Sequence, residues 1–311
     1  MLRHSRKSKI RQVSAAGHRA LQEVEFMISE YDAFGPWVYE IDDVHPLPKL
    51  FVPYIHPDPD RSIMVKVPRQ IDRQDAEPGM DLYDYIIAVS KNNLTIYGRT
   101  EGSQVVRVIS VKYEDVVAVT IKNVLLSSEV TIMLLSGETI VVPFNRISFD
   151  VMQKVILAIR NNAAKHPVDF PDPVDKITVD QLQDTTFVNM YNEFSAQAEN
   201  ARIGMHQSYI LMPPVYIPAS VCYYSTDELE VVEKPVDYDP TTNKYGYKIT
   251  YVALQNLEDI EVIESRKYDR LYNVIFNLRG GKQNFSINVS TVDTVAFFKE
   301  VFDATHSKQS R

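Results

Sequence analysis

HPDPD, His56 to Asp60, is the tightest grouping of potential ligands in this 311-residue sequence. An imidazole beside two carboxylates could hold a cation or exchange protons. The two interleaved prolines, however, favour a solvated turn, and the spacing does not make the three groups converge. The remaining histidines, at positions 4, 18, 45, 166, 206 and 306, stand singly, with no two-histidine helical pair and no Cys/His cluster. Adjacent acids at Asp42-Asp43 and Glu258-Asp259 could divide acid and base roles, yet neighbouring residues on a strand point to opposite faces. Cys222 sits in the apolar run VCYY with no histidine near it in sequence, which suits a small buried hydrophobe better than a nucleophile. No glycine-rich phosphate loop and no G-x-S-x-G elbow occurs, and the ten glycines leave little material for one. The expectation is a protein that is not an enzyme, with no catalytic residue, no metal site and no cofactor.

Charge narrows the partners. Thirty-three basic residues face 41 acidic ones, for a net charge of −8, so the general electrostatic footprint of a nucleic-acid binder is absent. The balance is uneven along the chain. Arg3, Arg6, Lys7, Lys9 and Arg11 form a basic tail without an acid, and setting those five charges aside leaves −13 for the rest. That tail is the one candidate for an anionic surface. The polar, periodic stretch that follows it lacks the apolar core of an export signal, no run approaches the length that spans a bilayer, and one cysteine allows no internal disulfide. A cytoplasmic location is expected.

The elements that would carry a site are written twice. TIMLLSGETIVVPFNRISFDVMQKVILAI, from Thr131, aligns without a gap on VIFNLRGGKQNFSINVSTVDTVAFFKEVF, from Val274, at an offset of 143. Each copy reads as two alternating strands, a glycine turn at Ser136-Gly137 or Gly280-Gly281, and an amphipathic helix. Phe149, Met152, Val155 and Ile159 match Val292, Val295, Phe298 and Phe302 at helical spacing. Ser290 and Asp293 fit the start of the second helix. Upstream, YEDVVAV from Tyr113 lies on LEDIEVI from Leu257 at an offset of 144, and NNLTIYGR from Asn92 on DELEVVEK from Asp227 at 135. A preceding helix, with Met27 on Met190, and an extended stretch, VPYI from Val52 on VYIP from Val215, extend the match.

The expected organisation is therefore a basic tail over 1–12, a first unit over 13–161, a proline- and aspartate-rich linker over 162–177, a second unit over 178–305 and a short tail over 306–311. Residues 56–83 read as an insertion peculiar to the first unit, with prolines that mark loop or edge conformations. The fold class is α+β, mainly β: each unit is a bent antiparallel sheet, a partly open barrel, closed by a C-terminal helix and preceded by an extra helix.

A bent antiparallel sheet capped by one C-terminal amphipathic helix, as read over residues 85–161 and 218–305, resembles the bacterial pleckstrin-homology-like (PH-like) domain family, here in tandem. The resemblance rests on strand order, alternation and the two closing helices ISFDVMQKVILAI and VSTVDTVAFFKEVF. It implies a binding module that contacts lipid headgroups, peptides or other subunits. Lipid-binding members cluster basic residues in the first hairpin loop. Here Arg99 is offset by Glu101, and Lys234, Lys244 and Lys248 by Glu233, Asp237 and Asp239, so neither loop has the needed surplus.

One segment serves neither strand count. FGPWVYEIDDVHPLPKLFVPYI, from Phe34, gathers Phe34, Trp37, Tyr39, Phe51 and Tyr54, aromatic anchors of the kind that dominate interfaces. The other reading is a segment packed across the sheet of its own unit. The expected function is a binding or scaffold module for a protein or peptide partner, with these five residues as the candidate contact. The alternative is peripheral attachment to a membrane surface through the basic tail. Self-association is compatible with either.

Overall fold

The computed structural model describes residues 31–306 except Ala33, Glu101, Gln104, 164–176, 213–214 and 235–245. Strands β1 (Tyr39–Glu40), β2 (Arg61–Pro68), β3 (Tyr83–Ser90), β4 (Asn93–Arg99) and β5 (Val106–Lys112) form a five-stranded antiparallel sheet in chain order. Strands β6 (Val116–Val124), β7 (Ser127–Leu134) and β8 (Thr139–Asn145) then form a meander, and helix α1 (Phe149–Asn162) follows. Helix α2 (Thr185–Ser195) precedes β9 (Arg202–Gln207) and a small hairpin of β10 (Ile210–Met212) and β11 (Val215–Ile217). After these come β12 (Ala219–Tyr224), β13 (Glu228–Lys234), β14 (Gly246–Ala253), β15 (Leu257–Glu264), β16 (Tyr272–Leu278), β17 (Asn284–Val289) and helix α3 (Val292–His306).

The strand register shows how the doubled sequence is laid out. Val89 pairs with Leu94 and Tyr224 with Leu229, residues 135 apart in both strands. Helices α1 and α3 begin 143 residues apart, at Phe149 and Val292. The offset of 144 for β6 and β15 is corrected to 142. Ala118 stands opposite Met133 and Ile260 opposite Phe276, whose own offset is 143. A slip of two residues keeps every side chain on its face, so the hydrophobic pattern cannot detect it.

Three further expectations change. Residues 56–83 are not a loop insertion: they contribute β2, which lies between β1 and β3 and buries Val65 and Val67. Its counterpart is β9, paired to β12 as β2 is to β3. Val52–Tyr54 is a 3-10 turn, whereas Val215–Ile217 is a strand, so the supposed shared extended stretch is absent. Helix α3 is capped by Thr291, whose Oγ1 accepts from the Thr294 N–H at 3.3 Å, while the Ser290 N–H donates to Gln207 Oε1.

The four sheets among the described residues are antiparallel and open. The largest has the order β8-β7-β6-β14-β13-β12-β9, so β6 and β14 join the meander of the first half to four strands of the second. Cores lie on both faces of this sheet. On one face, α1 inserts Met152, Val155, Ile156 and Ile159 between β6–β8 and the five-stranded sheet. On the same face, α2 lays Phe187, Met190 and Phe194 on Val221, Tyr223 and Val232. On the opposite face, β15–β17 and α3 cover Leu229, Val231 and Val252. No helix among the described residues is long and apolar enough to cross a membrane.

Candidate functional site

The aromatic segment after Phe34 divides in two. Phe34 and Phe51 are buried beneath the outer face of the five-stranded sheet, with Leu82, Tyr83, Ile86 and Tyr97, and Tyr54 packs against that cluster. Phe34 and Phe51 have no free face to offer a partner, because the sheet would otherwise expose its second apolar side to water, while Tyr54 is half-buried. Tyr39 is half-buried, stacked on the His45 ring at 4.1 Å. Trp37 alone of the five is well exposed, at 43%. Its indole lies so close to Gly35 that a Cβ there would collide with it, which gives that glycine its role.

Hydrogen bonds tie the segment that carries Trp37 to a corner of the seven-stranded sheet. The Val38 N–H donates to Ser148 Oγ at 2.8 Å, just before α1, and the Arg146 N–H donates to the Leu126 carbonyl at 2.8 Å. Between them stands Ile147, 59% exposed, whose N–H is held by Asn145 Oδ1. Beyond them, Leu125 and Leu126 form the two-residue loop of the β6–β7 hairpin, bounded by the pair Val124 and Ser127. They are 61% and 67% exposed, and Leu125 has φ of 55°. A leucine in the left-handed region is strained, and a two-residue tip with positive φ at its first position ordinarily takes glycine there. The bonded segments thus bring four exposed apolar residues, Trp37, Ile147, Leu125 and Leu126, to one corner of the sheet.

The remaining candidates from the sequence do not converge on it. In HPDPD, Asp58 accepts from the Asp60 N–H at 3.0 Å and from Ser90 Oγ at 2.5 Å, so it closes a turn. These hydrogen bonds lower its pKa. Asp42 accepts from the N–H groups of Val44 and His45, a second turn. Cys222 is fully buried and free, and burial pushes its thiol well above the usual range. Among the described residues no three His, Cys, Asp or Glu side chains gather as a metal site. Arg3, Arg6, Lys7, Lys9 and Arg11 lie outside the described residues, as does most of the loop after Lys234.

Sequence reading missed the leucine tip and a buried charge pair. Arg160, in the last turn of α1, reaches β13 and donates from Nε and Nη2 to the two carboxylate oxygens of Glu228, at 3.0 and 2.6 Å. Its guanidinium also lies 3.7 Å from the centre of the Tyr251 ring. Both charges are buried, so the pair locks α1 of the first half onto the second. The tip had a local signal: VLLSS between two alternating strands, where turn chemistry calls for Gly or Asn. Arg160–Glu228 had none, since its partners are 68 residues apart.

No family model matches the chain, and no curated protein matches it.

Proposed function

We propose that the chain is a non-enzymatic binding or scaffold module, built from two PH-like units that share one sheet, and that it docks a protein or peptide partner on the Trp37–Leu126 corner. Support for the units comes from the order of elements: an antiparallel run of strands, a three-stranded meander and a closing helix, in both halves, with five strands before the meander in the first and β9, β12, β13 and β14 plus a small hairpin in the second. The observation that carries the function is the leucine pair. Burial does not account for two leucines that are more than half exposed, and a non-glycine residue with positive φ costs about 1–3 kcal/mol. A tip of this kind is understandable when a partner covers it. Outside the basic tail the net charge of −13 favours a partner of basic character by steering its approach.

The test places a photo-crosslinking p-benzoylphenylalanine at position 126 of the full chain, in cells, with exposed Val44 as the control position. A protein adduct formed at 126 and not at 44, and lost when Trp37 is replaced by alanine, is the expected result. Absence of any site-dependent adduct overturns the reading. A lipid adduct at 126 would instead favour attachment to a membrane surface, led by Arg3 to Arg11. A companion variant, Leu125→Gly/Leu126→Asn, supplies glycine at the position of positive φ, as the turn prefers. It is expected to raise Tm by about 2–4 °C while abolishing docking, which separates loss of contact from loss of fold.

A further inference from the structure

A cleft of about 240 Å³ opens between α1 and α2, over the strands β6, β14 and β13 where the two halves join. It has room for roughly eight water molecules or one small ligand. Its floor includes the carboxyl of Glu230, a residue only 3% exposed that forms no hydrogen bond to another described residue. A carboxyl held out of bulk water with no hydrogen-bond donor costs stability unless something in the cleft satisfies it.

The charges around Glu230 define what that something is. Arg160 from α1 faces it, but its guanidinium is committed to Glu228, to Gln197 and to the Tyr251 ring. Glu228 on the same strand and Glu193 from α2 add negative charge, and Tyr251 from β14 is neutral. Arg146 lines the cleft but is held over the Phe149 ring and against the Tyr247 hydroxyl, at 3.8 and 3.2 Å. With Arg160 and Glu228 cancelling, Glu193 and an ionised Glu230 outweigh Arg146 by one negative charge, and protonation of Glu230 balances the empty cleft. An anion would meet three carboxylates, whereas a monocation leaves the cleft neutral.

We propose that this cleft binds a small organic ammonium ion, with the carboxylate of Glu230 as its buried counter-ion and Glu193 at its mouth. An ammonium group brings three donors to the Glu230 oxygens, and the Asn189 side chain on the cleft wall can accept another. Desolvation beside Glu228 and Glu193 pushes Glu230 up to about 8, so near neutral pH the empty cleft carries its proton. Cation binding expels that proton to solvent, which leaves an O⁻···H–N⁺ contact in place of an O–H.

The experiment is isothermal titration of the full chain at pH 7 with n-butylammonium chloride, run in two buffers of different ionisation enthalpy. Sodium butyrate and n-butanol serve as controls. Saturable binding with net release of protons is expected, because Glu230, raised to about 8, is mostly protonated at pH 7. Butyrate and butanol are expected not to bind, and Glu230→Gln, which keeps the shape and removes the charge, is expected to weaken butylammonium more than tenfold. Equal binding of butanol, unchanged binding by Glu230→Gln, or no saturable heat up to about 10 mM overturns the proposal. If Glu230→Gln fails to fold, the proton count in the unaltered chain decides. Leu125 and Leu126 take no part, so the corner and the cleft stand or fall separately.

Discussion

At the scale of single residues, Glu230 has the largest consequence for stability. In the unfolded chain it ionises near 4.3, whereas burial holds it neutral in the folded protein up to about 8. The folded state therefore binds the extra proton across that window. Its contribution to stability is fully present below about pH 4.3, falls by up to about 1.4 kcal/mol per pH unit as pH rises to 8, and is flat above. Glu230→Gln removes this slope. Urea unfolding at pH 5 and pH 8 should show the variant gaining on the parent chain as pH rises; parallel curves would mean that Glu230 ionises normally. Asp184 works in the opposite direction. Lys234 and the Thr186 N–H hold its carboxylate below the usual range despite partial burial, so its contribution is present at neutral pH and lost in acid.

At the scale of elements, the seam between β6 and β14 depends on close backbone approach. Six residue pairs run from Val124 opposite Gly246 to Val119 opposite Tyr251, and the hydroxyls of Thr120 and Thr250 meet across it at 3.2 Å. Gly246 is required here because a Cβ would stand 2.5 Å from the Asn123 carbonyl oxygen, which is backbone and cannot rotate aside. Gly246→Ala should lower unfolding free energy by roughly 1–3 kcal/mol, read from denaturant midpoints at constant m. A change within a few tenths would mean that the seam has slack. The glycines of the two matching turns serve a different end. Gly137 and Gly280 have φ of 91° and 87°, as tight hairpins demand, and they also bring the two turns together, with the Gln283 side chain donating to the Gly137 carbonyl at 2.8 Å.

At the scale of the whole molecule, one sheet serves both halves, so neither half owns a complete set of covered strands. Separating them would leave β6 an open edge of nine residues and strip Arg160 of its buried partner. A fragment of residues 1–163 is therefore expected to self-associate or unfold, and the full chain to melt in a single transition. Light scattering of the fragment and calorimetry of the full chain measure both. A monomeric, cooperatively folded fragment would show that the shared sheet is not needed for folding.

The sequence by itself determined the strands near the repeat, both closing helices and the turns at Gly137 and Gly280. These rest on period, apolar stripes and positive φ, which are local properties of the chain. It also pointed to the burial of Cys222, from its apolar run, and to the turn at HPDPD, from its prolines and the local bond of Asp58 to the Asp60 N–H. The strand within residues 56–83 was obscured because VKVP carries a lysine and a proline, and Lys66 is accommodated through tertiary contacts such as its bond to the Pro46 carbonyl and its place over the Tyr83 ring. Tertiary structure alone decided that Phe34 and Phe51 are core while Trp37 is not, since one aromatic segment reads the same whether a sheet or a partner covers it. It alone also brought Arg160, Glu228 and Glu230 together. Pairing across sheets and between a helix and a strand is set by the packing of whole elements, and leaves no spacing in the chain to read.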